Sequence, residues 1–136
     1  MMPNKRSPLF VLLLSFLLAA CSPGGKGEGL QPPTADEVMA YYELYRSGNY
    51  AEYVKAMQSC DDKPADFCKQ MADALKQHAT RIKAEKGGAV SAEFLRTELH
   101  AEHSAADAYL SVTYGDSTKE EIILPLVFWQ DKWRLK

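Results

Sequence analysis

The chain has 136 residues, 46% hydrophobic and 25% charged, with 16 Lys and Arg against 18 Asp and Glu for a net charge of −2. That length fits one domain, and that composition does not fit a disordered chain. A mildly acidic chain lacks the basic surface that neutralises phosphates, which excludes nucleic acid as a partner. No apolar run reaches the roughly 18 residues of a membrane-spanning helix.

The first segment reads as an address. Asn4-Lys5-Arg6 gives a positive start, Leu9 to Ala20 is an apolar run, and small residues precede Cys21. The run is too short for a permanent span and has the size of a secretory signal. Leu18-Ala19-Ala20-Cys21 resembles the lipobox of bacterial lipoproteins. The resemblance implies a signal peptide over residues 1–20, diacylglyceryl transfer to the Cys21 sulfur and cleavage before it. The competing reading is an ordinary signal peptide with a coincidental cysteine. Two or three acyl chains hold a protein on a membrane where one binds only reversibly. Residues 21–33 form the expected tether: Ser22 to Pro33 holds four Gly and three Pro and cannot bury enough surface to fold. Ser22 after the lipidated position resembles the outer-membrane pattern, so the expected location is the bacterial cell envelope, facing the periplasm.

The folded domain is expected over residues 34–136. Thr34 and Glu37 have the spacing of a capping box. Val38, Tyr41, Tyr42 and Tyr45 then fall on one helical face. Ser47-Gly48-Asn49 stops this helix, and Asn49, with Glu52 three residues on, starts a short second one carrying Tyr50, Tyr53, Val54 and Met57. Pro64 opens a third and longest helix, with Phe67, Met71, Leu75, His78 and Ile82 on one stripe and Gly87-Gly88 at its end.

After Gly88 the period becomes two. Val90, Ala92 and Phe94 alternate, then the phase slips to Leu95, Thr97 and Leu99, as at a β-bulge. Ala108, Leu110, Val112 and Tyr114 form a second strand, and Ile122, Leu124, Leu126 and Phe128 a third. Trp133 and Leu135 form a fourth, after a Gln130-Asp131 turn. Pro125 predicts a bulge or an edge position in the third strand. The fold class is α+β: three N-terminal helices packed on a curved four-stranded antiparallel sheet.

This order, ending in Trp129-Gln130-Asp131-Lys132-Trp133-Arg134-Leu135, resembles the nuclear transport factor 2-like (cystatin-like) α+β cone, and in particular small bacterial lipoprotein domains of unknown function. Asp131 stands where that pattern has Gly, leaving the turn type open. The resemblance also brings a precedent for catalysis, since the fold hosts ketosteroid isomerase-like and dehydratase-like enzymes with an Asp or His and a Tyr inside the cone.

Cys60 and Cys68 flank the loop into the third helix. In a secreted chain they are expected to form a structural disulfide; their spacing is not that of a redox-active Cys-x-x-Cys. Candidate chemistry is sparse. The inward phase of the strands reads apolar, with no acid or His, so it is core or at most a greasy pocket near Tyr42 and Tyr45. His78 lies on the apolar stripe, where packing is the expected role and general-base chemistry the sharper one. Glu98, His100, Glu102, His103 and Asp107 are metal-ligand types, but the alternation makes them a solvated hairpin end, and no metal or other cofactor is expected. Tyr109, Ile123, Val127 and Trp129 are apolar on the outward phase, a candidate interface for a homodimer or an envelope partner unless another segment covers them. The expected function is a lipid-anchored module that binds a ligand or protein without catalysis. The alternatives are an isomerase- or dehydratase-like enzyme and a structural accessory of an envelope complex.

Overall fold

The helices come first in the computed structural model and the strands follow, each boundary set by local chemistry. Residues 29–136 are described; the expected signal peptide, Cys21 and most of the tether lie outside them. Residues 32–136 form the compact unit considered below. Helix α1 (Ala35–Arg46) begins with the full capping box: the Thr34 side chain accepts from the Glu37 N–H at 3.1 Å, and the Glu37 carboxylate accepts from the Thr34 N–H at 2.9 Å. It ends at Ser47, where Gly48 takes a φ of 88°.

Helix α2 (Tyr50–Ala56) follows after Asn49, whose side chain does not cap it but reaches back to Ser47 Oγ at 3.4 Å. A 3-10 turn (Gln58–Cys60) leads to helix α3 (Ala65–Lys86). Pro64 is the N-cap of α3 rather than its first helical residue, and its carbonyl accepts from the N–H groups of Phe67 and Cys68. Gly87 closes α3 in the left-handed conformation, φ 83°, where a side chain is disfavoured.

Strands β1 (Ala89–His100), β2 (Ala105–Tyr114), β3 (Lys119–Trp129) and β4 (Lys132–Leu135) form one antiparallel sheet in sequence order. The expected slip in β1 is real: the register with β2 shifts between Phe94 and Arg96, so Leu95 is the extra residue. A second shift at Val90 went unread, because one bulged residue at a strand's start breaks no visible alternation.

Pro125 causes no bulge in the β2–β3 ladder and takes the other expected arrangement, an edge position. Its carbonyl accepts from the Lys136 N–H on the β4 side, so its nitrogen also turns away from β2, and β3–β4 pairing begins only at Leu126. The open Gln130-Asp131 turn is a two-residue hairpin with φ of 53° and 65° at its two residues, the arrangement for which Asn-Gly is the preferred pair.

The core lies between α1, α2 and the inner sheet face. Val38, Val54, Leu110, Val112, Leu126 and Leu135 are its best-sealed side chains, with Trp133 and Leu124 beside them. Tyr41 Oη donates to the Trp133 carbonyl at 2.6 Å, tying α1 to β4. Arg134 makes two bonds to the Asp61 carboxylate, 2.7 and 2.8 Å, and one to the Lys55 carbonyl, while Met57 bridges Leu135. The segment after α2 thereby covers the free edge of β4.

Helix α3 does not join this core. None of its 22 residues is buried: Met71, Leu75 and Ile82 of the apolar stripe are half-buried and Phe67 is 38% exposed. The helix lies against α2, and its C-terminal end is fixed to the β2–β3 hairpin. There the Gly115 N–H donates to Gly88 O at 2.9 Å and the Asp116 N–H to Lys86 O at 2.8 Å. Gly87 and Gly115 meet so closely that a Cβ on Gly115 would lie 2.7 Å from the Gly87 carbonyl oxygen.

The two cysteines do not form the expected disulfide here; both are free thiols. Cys60 is buried and Cys68 Sγ lies 3.8 Å from the Cys60 carbonyl oxygen. Burial, and then the neighbouring Cys68, pushes the Cys60 thiol up, away from thiolate reactivity.

Candidate functional site

A cavity of about 900 Å³ opens between α1, α2, α3 and the β2–β3 end of the sheet. The sequence gives it aromatic walls. Tyr42 and Tyr45 come from α1, Tyr50 and Tyr53 from α2, and Leu75, His78 and Ile82 from α3, with Tyr114, Ile122 and Leu124 as its floor. Tyr45 is the hub: its ring centroid lies 5.9 Å from those of Tyr42 and Tyr50, and 6.2 Å from those of Tyr53 and His78. Such spacings with tilted rings are favourable aromatic contacts. The three candidate pocket residues, Tyr42, Tyr45 and His78, therefore line one space.

Two hydrogen-bonded polar pairs face this space. Tyr45 Oη lies 2.8 Å from His78 Nδ1, and Tyr114 Oη donates to Glu120 Oε1 at 2.5 Å. Lys86 Nζ sits 4.8 Å above the Tyr114 ring. Burial raises the Tyr42 hydroxyl to about 12 and pushes Tyr45 and Tyr53 up as well. Burial, then the bond to Glu120, raises Tyr114. All four phenols stay protonated at neutral pH and serve as hydrogen-bond donors. His78, expected to be packed, is exposed at the cavity wall.

Glu120 corrects the reading of the inward strand face as free of acids. It is in phase with Ile122 and Leu124, and its carboxylate turns in to Tyr114. That alternation was the available signal; the run of charge through Lys119, Glu120 and Glu121 masked it. Arg46 and Lys86, also lining residues, carry no sequence signal because they follow from how helix ends meet the sheet, Arg46 at Val90 and Lys86 at the β2–β3 hairpin. The cavity's aliphatic hydroxyls are committed to helix carbonyls: Ser47 to Leu44 O and Thr80 to Lys76 O. Neither is paired with a base.

On the outer sheet face, Ile123 is 53% and Trp129 42% exposed, while Val127 and Tyr109 are half-buried. Tyr109 is not simply apolar there: Arg96 stacks 3.9 Å from its ring and its hydroxyl donates to Glu98 at 3.1 Å. Of the expected hairpin-end cluster, Glu98, His100 and Asp107 converge, whereas His103 and Glu102 stand in the exposed turn with only each other, 3.8 Å apart.

Comparison with solved structures decides the fold class. A protein from Campylobacter jejuni, provisionally named an NTF2-like transpeptidase, superposes with a TM-score of 0.58 over 75% of this chain and 97% of its own, at 12% identity. The fold is nuclear transport factor 2-like. At that identity the likeness extends to the fold alone. No family model matches the chain, and no curated protein matches it in sequence. Among the described residues no helix is long and apolar enough to cross a membrane.

Proposed function

We propose that this nuclear transport factor 2-like domain is a binding module that takes an elongated or flat, mainly apolar ligand into its tyrosine-lined cavity. The observation that carries this is the open space itself. Leu75, His78 and Ile82, from the C-terminal part of a helix stripe that would ordinarily seal against a sheet, instead line a cavity of about 900 Å³. Its size is that of a small-molecule site, and its walls mix aromatic rings with charged side chains, Arg46, Lys83, Lys86 and Glu120 among them. The phenol hydroxyls and His78 would orient the ligand's polar end.

Anilinonaphthalene sulfonate, a flat apolar anion, tests this by fluorescence. Saturable binding with one site per chain, weakened by Ala79→Trp at the cavity wall, supports the proposal; no saturable binding, or binding indifferent to that change, overturns it. Catalysis is the second reading, and it rests on the Glu120–Tyr114 and His78–Tyr45 pairs, which place a carboxylate and an imidazole at one cavity.

The Cys21 lipobox supports an envelope lipoprotein held on a membrane by acyl chains at the end of a Gly- and Pro-rich tether. Intact mass of the native protein reads this directly: acylation and loss of residues 1–20 are expected, and the same measurement without reductant reads whether Cys60 and Cys68 have lost both thiol hydrogens. A second copy of the chain is the proposed partner of the outer face around Ile123 and Trp129. Sedimentation should show a dimer that Trp129→Arg dissociates; a monomer before and after removes the proposal.

A further inference from the structure

The face of the sheet turned away from the cavity gathers a second group of ligand-type side chains. We infer that Glu98, His100 and Asp107 bind a divalent transition-metal ion, with zinc as the type.

Strand geometry gathers these residues. Glu98 and His100 are two apart on β1 and so project to one face. Asp107 on β2 lies directly opposite Glu98, while His100 lies opposite Ala105, whose small side chain leaves the ring room to swing toward Asp107. His100 Nε2 then lies 3.2 Å from Asp107 Oδ2. One ligand atom from each of the three residues falls within 4.8 Å of the other two. Three ligands on a zinc ion stand about 3.4 Å from one another, so a modest side-chain rotation completes the set.

The pairing itself asks for a cation. Two carboxylates directly opposite on adjacent strands repel, and among the described residues the basic side chain paired with them is His100, with no Lys or Arg. Arg96, the nearest cation in sequence, stacks on Tyr109 and bonds Glu121 instead. Tyr109 Oη donates to Glu98 Oε1, as an outer-shell donor does for a ligating carboxylate. One imidazole and two carboxylates suit zinc better than calcium or magnesium, which favour all-oxygen sets. Three protein ligands leave a coordination position for water or for a group from outside.

The test is calorimetric titration of the full chain with Zn²⁺ and with Mg²⁺, in a Cys21→Ser, Cys60→Ser, Cys68→Ser background so that thiolates do not compete. One zinc per chain is expected, with no effect of Mg²⁺. His100→Ala should weaken binding by tenfold or more, and Tyr109→Phe by about tenfold, the usual cost of an outer-shell loss. His103→Ala and His78→Ala should leave it unchanged. NMR of the three imidazoles gives a reading without mutation: the His100 ring alone should shift on adding zinc. No one-to-one binding, equal affinity in His100→Ala, or a shift centred on His103 or His78 overturns the assignment.

Discussion

The two ends of this cone are built from the same residue types and do opposite things. Under α1 and α2, apolar side chains meet the sheet and are sealed: Leu126 and Leu110 are 0% exposed. Under α3, Leu75, His78 and Ile82 face a cavity, and no residue of the helix is buried. The difference lies in what stands between the layers. At the filled end Arg134, Asp61 and Tyr41 draw the helical segments onto β4. At the open end four tyrosines and His78 fill part of the gap with rings, and a Gly–Gly contact sets how near α3 comes to the hairpin. The lesson is that a hydrophobic stripe identifies a buried-facing side, but only the packing partner decides whether it becomes core or wall.

The sharpest way to break this comparison is a pair of leucines. Leu126→Ala at the filled end should cost about 2–5 kcal/mol, as sealed leucines do. Leu75→Ala at the open wall should cost nearer 1 kcal/mol, because water already reaches that side chain. Urea unfolding of both variants reads the contrast, and equal losses would mean the two ends are packed alike.

Next in size is the glycine contact. Gly115→Val forces a side chain into the Gly87 backbone and should destabilise by about 1–3 kcal/mol, as overpacking does. It should also loosen α3, seen as faster hydrogen exchange at Lys83–Gly88 than at Val38–Tyr42. Smaller still, and of opposite sign, replacing Gln130-Asp131 by Asn-Gly should stabilise by about 1 kcal/mol, because left-handed backbone costs an ordinary residue roughly that much. Its effect belongs to the filled end and should leave probe binding in the cavity untouched.

The two ends should also fail at opposite ends of the pH scale. The Arg134 guanidinium, by hydrogen bonding, holds Asp61 below the usual carboxylate range. Its contribution is present above the unfolded value near 4 and is lost as pH falls through the folded value, so acid weakens the filled end first. Asp61→Asn should flatten that acid limb. Tyr42 is raised to about 12, so its contribution is full below the unfolded value near 10 and is lost as pH rises toward 12. Tyr42→Phe should flatten the alkaline limb. Thermal melts across pH measure both.

What the sequence disclosed follows the range of each interaction. The Thr34–Glu37 capping box, the stop at Gly48, the close of α3 at Gly87 and the Leu95 bulge are set by neighbours within a few positions, and the structure has all four. The Asp61–Arg134 pair joins residues 73 apart and leaves no local pattern. The open side of α3 was hidden for a related reason: amphipathic spacing is the same for a helix that seals and one that lines a cavity. Glu120 was legible and overlooked, its phase with Ile122 obscured by charged neighbours. Tyr42, Tyr45 and His78 could be singled out, but their meeting in one space depends on how α1 and α3 are set across α2.

The central claim is that the space beneath α3 is kept open for a ligand, and native mass spectrometry of the full chain purified under non-denaturing conditions from the cells that make it tests this most directly. The account predicts a bound small molecule on the unaltered protein, absent from Ala79→Trp while the fold is retained. A bare chain in both, with no probe taken up by either, would contradict it.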